Sequence, residues 1–167
     1  MAHLLHHTAV IAFAGLMALA AFEDFRRLII PNAVPLALCA LWPLYFAGAP
    51  SLFGGLGALG CALIVFLAGA LCFSRGWLGG GDVKLLATAA LWAGPGATPA
   101  LLATTGVLGG ALGLFLLMPP SAHFATVARA KLGPALAAPG EGLAAPIPYG
   151  IAIAGAAVIV IVLPQLS

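Results

Sequence analysis

The fold this sequence predicts is all-α, a polytopic membrane bundle of about six transmembrane helices, and three observations predict it. The chain of 167 residues is 63% hydrophobic and 6% charged, where a soluble domain carries about 25% charged residues. Its mean hydropathy of +1.19 comes from long apolar runs of the kind that cross a bilayer. No run alternates as a half-buried strand does, and lipid leaves no place for open sheet edges. The length fits one domain over residues 1–167.

Six apolar segments follow in order: 4–22, 33–47, 55–73, 82–93, 99–118 and 147–163. Most approach the roughly 20 residues that a spanning helix needs, and the second and fourth fall short. The first resembles a signal-peptide core, with an A-x-A-like pattern in "MALAAF" at its end. However, its N-terminal part carries His3, His6 and His7 rather than Lys or Arg, and the basic Arg26 and Arg27 follow the run, the reverse of a signal peptide. It is read as a retained first span. In the second segment Pro35 and Pro43 are expected to kink the helix, with Pro31 at its first position. The fifth carries Gly106 and Gly110, and Gly109 and Gly113, each pair four apart, a spacing that lets helices approach closely. Between the fifth and sixth, "SAHFATVARAK" reads as a short interfacial helix, and the Ala, Pro and Gly-rich stretch after it as a loop.

Composition also excludes. A net charge of +2 without a basic cluster gives no nucleic-acid surface. Cys39, Cys61 and Cys72 lie inside apolar runs with neither a CxxC pair nor a histidine at metal spacing. They are expected to be small core residues, with no disulfide, metal or cofactor.

Alternation of six spans places the first, third and fifth connections on one side. Arg26, Arg27, Arg75, Lys84, Arg129 and Lys131 all lie there or at its edge, as do Glu23, Asp24, Asp82 and Glu141. The positive-inside rule makes that side cytoplasmic and puts both termini on the periplasmic face. Polar chemistry is therefore expected at the cytoplasmic face.

Acids at a membrane boundary are functional candidates because burying them is costly. Asp82 follows Gly79, Gly80 and Gly81 and is placed to cap the fourth helix. Three glycines give more freedom than a cap requires and allow another chain to come close. Asp24 ends the first helix, where the macrodipole disfavours an anion, unless Arg26 and Arg27 offset it. Glu23 points about 100° away from Asp24 around the helix. If the first and fourth helices are neighbours, the two aspartates meet. Two close carboxyls resist double ionisation, so one keeps a proton and the other does not. Such a pair can activate water and polarise a peptide carbonyl.

"GGGD" at 79–82 fits the G-x-G-D signature of membrane aspartic proteases, and "DVKLLA" continues it. "DFRRLIIPN" at 24–32 and "PIPYG" at 146–150 supply two further blocks in order. Together they resemble the prepilin peptidase family, in its short form associated with tight-adherence (Flp-type) pili. The region linked to N-methylation in longer members has no counterpart here, so no methyltransferase activity is expected. The resemblance implies a membrane aspartic endopeptidase of the bacterial inner membrane. It would remove a short basic cytoplasmic leader from prepilin or prepilin-like precursors, just before their hydrophobic helix. Its partners are those substrates and the lipid bilayer; the oligomeric state stays open. Carried over by position, Asp24 and Asp82 are the catalytic pair, and Gly79 and Gly81 shape the backbone around Asp82. Lys84 tunes the local field, binds lipid or substrate, or snorkels to the interface. Pro148, Tyr149 and Gly150 line the site.

Two other readings compete. Presenilin-like and signal-peptide-peptidase-like proteases share G-x-G-D, but their first aspartate sits in a Y-D pair and they carry a P-A-L block, neither of which is here. A transporter or pilus-assembly scaffold would use Asp24 and Asp82 as ion or structural sites.

Overall fold

The computed structural model describes residues 2–47, 51–117 and 148–166. The expected interfacial helix and the loop after it, with Arg129, Lys131 and Glu141, lie outside the described residues, as does most of the second connection. Among the described residues there are five helices and no strand: α1 (Ala2–Arg27), α2 (Ala33–Phe46), α3 (Leu52–Ser74), α4 (Gly80–Leu117) and α5 (Tyr149–Ala157). The last continues through a π-helical stretch, Val158–Val162, and a final turn, Leu163–Leu166. Three of them, α1, α3 and α4, are long and apolar enough to cross a membrane.

The expected fourth and fifth segments are two arms of α4. Gly94 breaks the helix with φ 65° and ψ −176°, a backbone region open essentially to glycine alone. Pro95 then begins the second arm, four residues earlier than the sequence suggested. Thr98 Oγ1 reaches the carbonyl oxygen of Ala90 at 3.4 Å. Eight residues of straight helix would separate such groups by about 12 Å, so the arms fold back on each other. The break thus yields six helical rods from five helices.

The first arm is the centre of the bundle. Val83, Leu85 and every residue from Ala87 to Trp92 are buried, which is the pattern of a helix covered on all sides. α3 packs along α4, and so do α2 and α5. Trp92 anchors the end of this arm: its indole N–H donates to Leu38 O at 3.0 Å, and its ring meets Phe13 at 4.5 Å and Tyr45 at 4.8 Å. At the same end His6 stacks on Tyr45 and bonds both the Tyr45 carbonyl and Gln165. Those contacts tie α1, α2 and the end of the α5 rod together.

Local details depart from expectation in three places. Helix α2 begins at Ala33 with Asn32 as its N-cap, so Pro31 lies outside the helix, Pro35 falls in its first turn and only Pro43 sits in its interior. None of the three cysteines is core: Cys39 is exposed, Cys61 and Cys72 are half-buried, and all three are free. Cys39 lines the cleft between α2, α3 and α4. Of the fifth segment's glycines, Gly109 packs under Tyr149, while Gly106 and Gly110 face open space.

Candidate active site

Asp82 is not an N-cap. Helix α4 starts two residues earlier, with the Val83 N–H donating to the Gly79 carbonyl at 3.1 Å. Asp82 therefore stands at the third helical position and reaches back to accept a hydrogen bond from the backbone N–H of Gly79. This is half of a capping box, and it puts the carboxylate against the positive pole of its helix. A side chain at Gly79 would collide with it, since a Cβ there would stand 2.7 Å from Asp82 Oδ2. Gly81 is needed for a different contact: its missing Cβ is where Ile30 packs, at 3.0 Å. The sequence suggested glycines that admit another chain; the neighbours the structure shows are within this chain, the Asp82 carboxylate at Gly79 and Ile30 at Gly81.

Asp24 is buried, with 5% of its surface exposed. Among the described residues neither arginine offsets it. Arg27 pairs with Glu23 at 3.3 Å, and Arg26 lies over the Phe22 ring. Its partner is instead the backbone N–H of Gly150, which donates to Asp24 Oδ2 at 2.7 Å. Gly150 is the second residue of α5, and that N–H belongs to the set which a helix leaves unsatisfied at its start. Asp24 thus occupies an anion site at a helix N-terminus, which compensates the unfavourable end of its own helix. The contact requires glycine: a Cβ at position 150 would sit 2.8–2.9 Å from three atoms of the Asp24 side chain.

The two aspartates come from different helices, and each is held at the N-terminus of a helix. Both lie at one end of the bundle: the chain that leaves Asp24 places Ile30 against Gly81, the residue before Asp82. Asp82 Oδ1 is buried and has no hydrogen-bond partner among the described residues. Two turns of chain meet beside it, because Lys84 Nζ donates to Asn32 Oδ1 at 2.8 Å. That bond joins the two sequence blocks that carry the acids. Lys84 is exposed, but its head is fixed on Asn32 rather than free at the interface. Among the described residues Tyr149 makes no hydrogen bond to either acid; it packs on Gly109 at the start of α5. Pro148 is the N-cap residue of α5.

A cavity of about 510 Å³ lies at the opposite end of the bundle, around His6, Tyr45 and Trp92. A second, of about 480 Å³, is an apolar cleft between α2, α3 and α4. It runs from Lys84 and Asn32 past Pro35, Leu36 and Phe66 to Leu91, and neither aspartate lines it.

Comparison with known proteins finds one family. A model described as the type IV leader peptidase family matches residues 11–114, a stretch that contains both aspartates, Gly79, Gly81 and Lys84 but not Gly150. No curated protein and no solved structure matches the chain.

The need for glycine at position 150 is testable without an activity assay. Gly150→Ala is expected to cost about 1–3 kcal/mol of stability, as overpacking of a buried contact does. Gly110→Ala, into open space, should stay within about 0.5 kcal/mol of the parent. Thermal unfolding of the two purified variants in detergent measures both, and equal midpoints would contradict the geometry.

Proposed function

Because the chain belongs to the type IV leader peptidase family, we propose that Asp24 and Asp82 act together as its aspartic peptidase dyad and remove the leader of prepilin-type precursors at the cytoplasmic face of the bacterial inner membrane. The observation that carries this reading is the placing of two acids from different helices at one end of the bundle, with Asp24 bonded to Gly150 and the chain after it packed through Ile30 on Gly81, beside Asp82.

A dyad of this kind works with one proton between its members. The ionised carboxylate takes a proton from water as the water oxygen bonds to the scissile carbonyl carbon. The carbonyl oxygen takes the proton of the other carboxyl, which leaves a neutral tetrahedral diol. In the second step the first carboxyl gives its proton to the amide nitrogen, the C–N bond breaks, and one diol hydroxyl returns a proton to the second carboxylate. Both acids regain their starting states. The pair titrates as a unit, so neither aspartate is assigned a fixed role.

Three features support the substrate class. Basic residues at the ends of the spans, among them Arg26, Arg27 and Arg75, favour a cytoplasmic position for this end of the bundle. The apolar cleft that opens beside Lys84 suits a precursor that is polar before the cut and apolar after it. The first arm of α4, residues 80–93, is about 21 Å long at 1.5 Å per residue, less than the roughly 30 Å of hydrocarbon. With its far end tied to α1 and α2, the arm leaves Asp82 slightly below the lip of the bilayer.

Asp24→Asn and Asp82→Asn are each expected to lower precursor cleavage by at least about 100-fold, the lower end of what acid–base catalysis contributes, with the protein still in the membrane. Co-expression with a candidate precursor, scored for leader removal, reads the result. Unchanged cleavage in both variants refutes the dyad and favours an ion-site or scaffold role. Depth is measured separately. An Asp82→Cys variant that lacks Cys39, Cys61 and Cys72 should react with a membrane-impermeant thiol reagent more slowly than a cysteine placed at Trp77, which is 68% exposed in the preceding loop. Equal rates would place Asp82 at the open surface.

A further inference from the structure

The short connection between α1 and α2 runs beside the dyad and is held at three points. At its start the Leu28 N–H donates to the Asp24 carbonyl at 2.9 Å, ending α1, and Leu28 takes φ 54°, which is uncommon without glycine. In its middle Ile30 packs on Gly81, with both its Cβ and its backbone nitrogen within 3.5 Å of the place a Gly81 Cβ would occupy. At its end Asn32 receives Lys84 Nζ at 2.8 Å. Between these points Ile29 and Ile30 are neither helical nor turned. Their side chains alternate, Ile29 66% exposed and Ile30 6% exposed, as successive residues of a strand do. Among the described residues their backbone N–H and C=O groups enter no hydrogen bond.

Unpaired backbone groups are costly in a protein interior and more so at membrane depth. A peptide bond about to be hydrolysed has the same difficulty. It must leave any helix to expose its carbonyl, and its neighbours then lack partners too. We propose that Ile29 and Ile30 form a preformed edge on which the precursor lies extended, backbone to backbone, across its cleavage site. This is strand addition to an edge, with the edge placed next to Gly81 and hence next to Asp82. The proposal rests on Asp24 and Asp82 being the dyad and adds how the substrate is held there. Pairing through the main chain reads little sequence, so it suits an enzyme that accepts several precursors. Contact of lipid with Ile29 would explain its exposed side chain but not the unpaired backbone between two fixed points.

The test uses synthetic precursor peptides in which single amides within three residues of the cut are replaced by esters, the scissile amide excepted. Each is assayed with the full chain in detergent–lipid micelles. One hydrogen bond is worth about 0.5–1.5 kcal/mol, so kcat/KM should fall about 2- to 13-fold at one or two alternate positions and stay level at those between. Leu63→Ala, at an exposed position of α3 away from this edge, should leave kcat/KM within about twofold. Cleavage that tolerates an ester at every position overturns the proposal. An all-amide peptide that is not cut would overturn the dyad reading, and this one with it.

Discussion

The arrangement depends on the hydrogen bond from the Gly150 N–H to Asp24. An acid at the C-terminal end of a helix faces that helix's negative pole, and Asp24 is also buried. Neither circumstance favours a carboxylate. Helix α5 resolves both by presenting its own unsatisfied N-terminal N–H to the acid, and only glycine at position 150 allows the approach. Asp82 is treated in the same way by the start of α4. Each acid is thus held by a helix N-terminus, and among the described residues neither has a basic side chain paired with it.

Much of the rest of the fold serves that placement. The first arm of α4 is buried from Ala87 to Trp92 and fixed at its far end by Trp92, so packing along the arm positions Asp82. Gly94 turns the chain back, and the second arm returns to offer Gly109 as a seat for Tyr149. Tyr149 is the first residue of α5, where Gly150 meets Asp24. On the proposed reading two opposed constraints are met together: a dyad of Asp24 and Asp82 needs water and a substrate, yet both sit among helices whose other faces are apolar. The meeting of Lys84 with Asn32 keeps the entrance between α2 and α4 polar at one point while the cleft below it stays apolar.

A good part of this was legible in the sequence. The six apolar segments correspond to six rods, because the hydrophobic pattern and the bilayer fix length and type together. Asp24 and Asp82 stood out because charge is so scarce in this chain. Gly79 and Gly81 could be read as places of close approach, though not what approached them. The sequence did not show that Gly150 rather than Arg26 or Arg27 would answer Asp24, since a backbone N–H leaves no mark in residue type. The only trace was the glycine inside "PYG". The pairing of Lys84 with Asn32 was hidden for a related reason: each has a sufficient local explanation, snorkelling for one and capping for the other. The helix start was misplaced by two residues because Asp82 suits an N-cap and also suits the third position. Cysteines read as core proved exposed or half-buried, since in a bilayer apolar surroundings do not distinguish inside from outside.

The central claim is that two acids far apart in sequence meet at one point. It is tested most directly by bridging them. In a chain that lacks Cys39, Cys61 and Cys72, Asp24→Cys and Asp82→Cys would be combined and treated with a short bis-thiol reagent in the membrane, and the intact mass measured. The account predicts one reagent molecule joining both thiols within a single chain. Two reagent molecules, one on each thiol, or none on either while both remain reactive after denaturation, would contradict it.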